Sequence, residues 1–103
     1  MESNYTLVIY PSAQEDMDNI FKYIYFDLAN PRAAFDLIND FREACDNLCY
    51  FPEKCPLVNN EYVKDKTIRK LLVKNYIVFY RIKGNEIQIV RVLYGMSDYQ
   101  KLL

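Results

Sequence analysis

Lysine, arginine and tyrosine are the side chains that could carry chemistry in this chain, and the basic ones concentrate in its last third. Residues 61–103 hold nine Lys or Arg against four Asp or Glu, a net +5, whereas residues 1–60 hold four against ten, a net −6. The chain has no His, so the commonest general base at neutral pH is absent. A basic half beside an acidic half predicts one face that could meet an anion or an acidic partner.

The three cysteines give no sign of a metal site. Cys45 and Cys49 lie four residues apart on a predicted helix, Cys55 follows, and no His is present to complete a zinc site. A buried cysteine mostly behaves as a small hydrophobic residue. We therefore predict reduced, packed thiols, with no metal and no cofactor.

Length and composition predict one folded domain that spans residues 1–103. Apolar residues make up 51% of the chain and aromatic residues 16%, which excludes a disordered protein. No apolar run approaches the roughly 18 residues that a membrane span needs, and the N-terminus lacks the pattern of a signal peptide. These observations predict a cytoplasmic protein.

The first half of the chain predicts a strand followed by two amphipathic helices. Residues 5–10 alternate as a strand ended by Pro11, and Ser12 with Glu15 matches the capping box of a helix start. Asn30 and Pro31 then fit the N-cap and first turn of a second helix. The two apolar stripes comprise Ala13, Met17, Ile20, Phe21, Ile24 and Leu28, then Ala34, Leu37, Ile38, Phe41, Cys45 and Leu48.

The second half predicts a loop over residues 51–66, a three-stranded antiparallel meander and a short C-terminal tail. Two-residue turns at Lys74-Asn75 and Gly84-Asn85 would pair Val73 with Tyr76 and Lys83 with Glu86. The same register pairs Arg69 with Tyr80, Tyr80 with Ile89, and Val78 with Arg91, which places Arg69 and Arg91 on one face. Both faces of the meander are apolar, so the pattern leaves open which one meets the helices, and a slip of register would exchange them. The predicted fold class is α+β, a helical hairpin on one face of an antiparallel sheet that includes the first strand.

The chain resembles the RelE/ParE superfamily of toxins from bacterial type II toxin–antitoxin systems. The similarity covers nearly the whole chain and rests on four stretches in order. These are VIYPSAQEDMDNIFKYI, NPRAAFDLI, FPEKCPL, and RKLLVKNYIVFYRI with IQIVRVLYGMSDYQKLL. The resemblance implies a protein that arrests growth until a cognate antitoxin wraps around it.

Two mechanisms divide the relatives, and the resemblance implies one of them here. RelE-like members cut mRNA on the ribosome without a metal, using basic residues on the central strands and a basic or aromatic residue near the C-terminus. ParE-like members poison DNA gyrase by binding. The positions that still match the pattern of functional residues are Arg69, Lys70 and Arg91, and Tyr94 and Tyr99 are aromatic candidates.

Three departures fall on positions where related nucleases place their chemistry. Ile77 stands where those relatives commonly have Arg, Tyr94 where many have His before a Gly, and Met96-Ser97 where a double Arg often follows. The net charge of −1 also differs from the basic excess typical of proteins that insert among ribosomal phosphates.

We therefore expect a toxin that acts by binding, with DNA gyrase as the favoured target. A ribosome-dependent mRNA endoribonuclease and a degenerate relative that retains only antitoxin binding remain as alternatives. The arginines could also serve the fold by pairing with helix carboxylates such as Asp36, Asp40 or Glu43. Exposed strand edges are compatible with either an added antitoxin strand or a homodimer.

Overall fold

A strand, two helices and three further strands form the α+β fold that the sequence predicts. The computed structural model describes residues 4–96, 99 and 102–103. The elements are β1 Thr6–Ile9, α1 Pro11–Lys22, α2 Pro31–Leu48, β2 Arg69–Val73, β3 Tyr76–Lys83 and β4 Glu86–Tyr94, and α1 continues into a π-helical turn at Tyr23–Asp27. In the described part of the chain, neither helix is both long and apolar enough to span a bilayer.

The four strands form one sheet in the order β1-β4-β3-β2. The meander β2-β3-β4 is antiparallel, as predicted. β1 runs parallel to β4, so the sheet is mixed rather than antiparallel throughout. The helical hairpin that follows β1 is long enough to return the chain to either end of the sheet, so local sequence does not determine the direction of β1.

The two helix starts differ in how their first N–H groups are satisfied. Asn30 Oδ1 accepts a hydrogen bond from the backbone N–H of Ala33 at 3.2 Å, which confirms the predicted N-cap. The predicted capping box at Ser12 and Glu15 is wrong, because α1 already begins at Pro11 and no side chain caps it. The Ser12 hydroxyl instead donates to the carbonyl of Val90 at 3.0 Å, where it satisfies the part of β4 that extends beyond β1.

A β-bulge in β4 changes which face its last residues occupy. The pairs Val73–Tyr76 and Arg69–Tyr80 agree with the predicted register, as does Tyr80–Ile89. The register then shifts, and Arg91 lies opposite Phe79 instead of Val78. The predicted pairing is wrong because one strand gained an extra residue, which moves every later side chain to the other face. Arg69 and Arg91 therefore do not share a face.

The sheet is buried on both faces, which explains why both read as apolar in the sequence. The face toward the helices includes Val73, Val78, Tyr80, Ile87, Ile89 and Val92, packed against α1 and α2. The opposite face forms a second core of Ile68, Ile77, Phe79 and Leu93 with Val58 and Val63. Since Val58 and Val63 come from the loop, residues 51–66 act as the cover of this second face.

The loop reaches the second face by wrapping around the edge of β2. Its first part lies on the helix side, where the buried Tyr80 hydroxyl donates to the carbonyl of Pro52 at 2.7 Å. It then crosses the edge, since the N–H of Lys70 donates to the carbonyl of Pro56 at 3.1 Å. The second bond, with the isolated bridge between Leu57 and Arg69, occupies the start of that β2 edge.

Both helical stripes pack on the sheet, with one exception at the end of the first. Ala13 and Ile24 of the first helix are buried, and Met17, Ile20 and Phe21 pack against the same core. Leu28 is 54% exposed, because the helix has already ended in the π-helical turn. Cys45 and Cys55 are buried as predicted, and burial raises the pKa of the Cys45 thiol to about 11.

Candidate functional site

Arg69, at the start of β2, is held by the loop that wraps the sheet edge. Its Nη1 donates to the carbonyl of Cys55 at 2.7 Å and reaches that of Glu53 at 3.5 Å. The side chain is half-buried on the face that carries Tyr80. Among the described residues no carboxylate lies within ion-pair distance of it.

Lys70, Arg91 and Tyr99 come together on the opposite face. Lys70 and Arg91 lie on either side of Phe79 in one row across the sheet. The ring of Tyr99 packs on Phe79 with centroids 5.1 Å apart. Three of the five residues predicted from the resemblance are thus neighbours, whereas Arg69 is on the other face.

Arg91 forms a two-pronged ion pair with Asp16 of α1. Its Nε and Nη2 donate to the two carboxylate oxygens at 2.7 and 2.9 Å, and Nη1 reaches the carbonyl of Leu102 at 3.4 Å. Donating these hydrogen bonds to the Asp16 carboxylate raises the pKa of Arg91. Asp16 also accepts from the N–H of Val92 at 2.9 Å. The guanidinium therefore joins α1, β4 and the chain end, with its charge compensated.

The helix carboxylates that pair with the meander differ from those expected. Asp16 takes the role that the sequence suggested for Asp36, Asp40 or Glu43 toward Arg91. Asp40 instead pairs with Lys74 at the first meander turn, at 2.8 Å. The acidic helical half thus neutralises part of the basic sheet half directly.

Tyr94 closes β4 beside a cavity of about 580 Å³ between the helices and the first meander turn. Its ring is 48% exposed and meets that of Tyr76 edge to face, with centroids 5.8 Å apart. Tyr23, Asn19 and Asn75 also line this cavity. Burial, together with Tyr23 and Tyr94, raises the pKa of Tyr76. Tyr94 is therefore separate from the group around Phe79.

The positions that depart from the nuclease pattern have contrasting surroundings. Ile77 is 6% exposed and packs within the second core, so this position faces the loop rather than solvent. Met96 is 84% exposed beyond the end of β4. Ser97, its neighbour in the pattern, lies outside the described residues.

A polar cluster around Arg81 was not anticipated from the sequence. The Arg81 guanidinium donates to Gln88 Oε1, the Tyr10 hydroxyl and Asp65 Oδ2 at 2.7, 2.7 and 2.8 Å. The hydrogen bonds that Arg81 donates to Tyr10 and Asp65 raise the pKa of Arg81. The predicted register already placed Arg81 opposite Gln88, which is a usable signal, but nothing in the sequence indicated that Asp65 of the loop would join them.

An apolar groove of about 510 Å³ runs between the two helices and β1. Its apolar lining includes Leu7, Ile9, Phe21, Phe35 and Ile38. β1 pairs only with β4, and Thr6 directs its N–H toward that strand. Alternate residues of a strand point their backbone groups to opposite sides, so Leu7 and Ile9 face an edge that no other strand of the described chain occupies.

Among the described residues, no group of three His, Cys, Asp or Glu side chains is placed to hold a metal ion. Among the described residues, the arrangement offers two half-buried cations that form no ion pair, Arg69 and Lys70, on opposite faces, together with the half-exposed Tyr94 at the sheet end and the open apolar groove. Such surfaces can bind anionic or apolar partners.

Comparison with known families agrees with the fold. The family described as ParE toxin of type II toxin–antitoxin system, parDE, matches residues 7–99. The chain belongs to this family. The match covers β1 from Leu7 onward, both helices, the meander and Tyr99, and therefore includes all five predicted site residues. No curated protein sequence is significantly similar to the chain.

Two solved structures share the fold. One is described as a chromosomal ParDE TA system from P. aeruginosa; its TM-score is 0.70 at 24% identity, over 87% of this chain and 95% of that chain. The other is described as the toxin–antitoxin complex RelBE2 from Mycobacterium tuberculosis. It has a TM-score of 0.60 at 18% identity, over 87% of this chain and 96% of that one. At these identities the likeness establishes the architecture alone.

Proposed function

We propose that this ParE-family toxin arrests growth by binding DNA gyrase, and that a cognate antitoxin holds it inactive. The observation that carries the proposal is the family match over residues 7–99, which places the chain with the ParE toxins of type II systems. The absence of His and the surroundings of Arg91 and Ile77 favour binding over RNA cleavage.

Cleavage of RNA by its 2′-hydroxyl needs a group that activates the nucleophile and cations that stabilise the charged phosphorane. No His is present for the first task. For the second, Arg91 is engaged by Asp16, and Ile77 lies where a related nuclease would carry Arg. A cation that is already paired has less charge to offer a phosphate.

We assign different roles to the five predicted residues. Arg69 and Lys70 are the proposed target contacts, since neither has a carboxylate partner among the described residues. Tyr94, half-exposed at the sheet end, is the proposed aromatic contact. Arg91 and Tyr99 have a structural role on the face of Phe79. Arg91 is held by Asp16, and the ring of Tyr99 packs on Phe79.

For the antitoxin, we propose that the groove between the helices and β1 is the docking surface. It offers an apolar floor next to an unoccupied strand edge, so an antitoxin segment could bury apolar side chains and pair its backbone with Leu7 and Ile9. Of the two solved structures that share the fold, one is described as a ParDE TA system and the other as a toxin–antitoxin complex. This likeness supports an antitoxin partner for the present chain.

The order in which synthesis stops in growing cells tests the target. The chain is induced, and incorporation of labelled thymidine and labelled amino acids is followed in parallel. A gyrase poison stops DNA synthesis first, and we expect this order. If amino-acid incorporation stopped first, with mRNA cut on ribosomes, the nuclease alternative would replace the proposal.

Co-expression with the adjacent small reading frame tests the antitoxin. We expect growth rescue and a co-purifying complex. Phe35→Asp, in the groove, should weaken that complex, whereas Tyr62→Asp, on an exposed loop position, should not. Equal binding by both variants would place the antitoxin elsewhere, and a complex of two identical chains in its place would indicate a homodimer.

The nuclease alternative has one observation in its favour. Tyr94 presents a half-exposed ring beside a cavity lined by two further tyrosines and two asparagines. Aromatic rings and amides of this kind can hold an unstacked base. If Tyr94→Phe alone abolished both growth arrest and ribosomal mRNA cleavage, the binding mechanism would be wrong.

A further inference from the structure

Arg69 also lines a small cavity at the start of β2, where the loop crosses the sheet edge. The cavity has a volume of about 360 Å³ and is lined by Glu53, Leu57, Lys66, Thr67, Arg69 and Ile82. Two cationic side chains from different segments, one on the loop and one on β2, therefore border one concave space. No pattern in the sequence indicates Lys66 as a site residue.

Both cations are held by backbone carbonyls rather than by carboxylates. Lys66 Nζ donates to the carbonyl of Asn60 at 3.0 Å, and Arg69 donates to that of Cys55 at 2.7 Å. A carbonyl positions a cation without cancelling its charge. By contrast, the cations of the described residues that do form ion pairs, Lys74, Arg81 and Arg91, each have an aspartate partner.

We propose that this cavity binds one oxyanion, the carboxylate of an acidic side chain on a protein partner. A guanidinium has five N–H donors, and Arg69 uses only Nη1 in the contacts above, which leaves donors for a two-pronged pair with a carboxylate. Lys66 adds a second charge on the same cavity. The carbonyl contacts fix Arg69 before the ligand arrives, so less side-chain entropy is lost on binding.

A single carboxylate fits this site better than a nucleic-acid backbone. The lining carries Lys66, Arg69 and Glu53, a formal net charge of about +1, which one carboxylate balances and a string of phosphates would exceed. The net charge of −1 gives the whole molecule no long-range attraction for a polyanion. The site shares Arg69 with the proposed target contacts but does not depend on which protein the toxin acts on, because it follows from two cations that form no ion pair among the described residues.

A titration followed by NMR tests the proposal on the purified, ¹⁵N-labelled full chain. N-acetyl-glutamate amide is added at constant ionic strength, with sodium chloride as the balancing salt. We expect saturable shifts of the Thr67 and Arg69 amides. Lys66→Gln should weaken this binding about fivefold, since a surface ion pair contributes up to about 1 kcal/mol. Lys64→Gln, an exposed neighbour in the same loop, should leave it unchanged.

Arg69→Gln should remove saturable binding. The amide spectrum of this variant, compared with that of the parent chain, shows whether the loop still packs against β2. Shifts that grow linearly without saturation, or an equal loss in Lys64→Gln, would overturn the proposal. Inorganic phosphate and single-stranded oligothymidylate form the second arm. We expect the oligonucleotide to bind no more tightly than phosphate alone. Much tighter binding would assign the site to nucleic acid and contradict a protein carboxylate.

Discussion

At the scale of single residues, Arg91 shows what the sequence could and could not predict. Its presence on β4 and its basic character are plain from the chain, but its partner is not. The bulge turns it to the face of Phe79, and α1 approaches the free edge of β4 there, where Asp16 meets both its guanidinium and the N–H of Val92. A strand register derived from the two turns alone predicts neither the bulge in β4 nor the contact with Asp16.

Asp16 should therefore matter to stability more than its exposed neighbours do. Asp16→Ala leaves the partly buried Arg91 guanidinium and the Val92 N–H without their acceptor, and we expect a loss of about 2–4 kcal/mol in the free energy of unfolding. Asp18→Ala, which removes only an exposed contact with Gln14, should cost less than about 0.5 kcal/mol. Urea unfolding measures both, and equal losses would mean that the ion pair is of little consequence.

The candidate residues should also differ in their effect on toxicity. We expect Arg69→Ala and Arg91→Ala to weaken growth arrest more than Tyr94→Phe does. Hydrogen bonds to a charged group are worth about 1.5–3 kcal/mol each, and Tyr94→Phe keeps the ring. Arg91→Ala would act through the fold and should lower thermal stability, whereas Arg69→Ala should lower affinity for the target. Thermal unfolding of each variant beside induced growth curves separates the two.

At the scale of elements, the sequence predicts the meander turns and the apolar stripes of the helices, but not the path of the loop over residues 51–66. Lys74-Asn75 and Gly84-Asn85 set the hairpins locally, and Asn30 with Pro31 set the start of α2, because each signal acts within a few residues. The path of residues 51–66 around β2 depends on contacts with strands that follow it in the chain. Its cover of the second sheet face could not be derived from its own composition.

The loop carries a pH-dependent contact at Asp65. Hydrogen bonds from the Thr67 hydroxyl and backbone amide and from Arg81 lower the pKa of Asp65 below its ordinary value of 3.8. The folded state therefore keeps this carboxylate ionised to lower pH than the unfolded chain does. Its stabilising contribution is full above the ordinary value and is lost as pH falls through the lowered one.

Asp65→Asn should accordingly flatten the acid side of the stability profile. Because the side chain is about a third exposed, solvent screening keeps the expected loss near neutral pH below about 1 kcal/mol. The difference between the variant and the parent chain should shrink as pH falls below the unfolded value. Urea midpoints measured from neutral to strongly acidic pH test this, with Glu61→Gln, an exposed loop position, as control. A difference that grew in acid would contradict the assignment.

At the scale of the whole molecule, the fold is a sheet covered on both sides, by helices on one and by a loop with Tyr99 and Leu103 on the other. Ion pairs within the fold neutralise part of the opposite charges of the two halves, because Asp16 and Asp40 of the helices pair with Arg91 and Lys74 of the sheet half. Among the described residues, the surfaces left for partners are the groove beside β1, the cations Lys66, Arg69 and Lys70, which form no ion pair, and the half-exposed ring of Tyr94.

A supercoiling assay tests most directly our proposal that this ParE-family toxin acts by binding gyrase. Purified chain is added to gyrase, ATP and relaxed plasmid, and mRNA cleavage is measured on stalled ribosomes with the same preparation. We expect dose-dependent loss of supercoiling, relieved by Arg69→Ala and by added antitoxin, with the mRNA left intact. Unimpaired supercoiling together with cut mRNA would contradict the account.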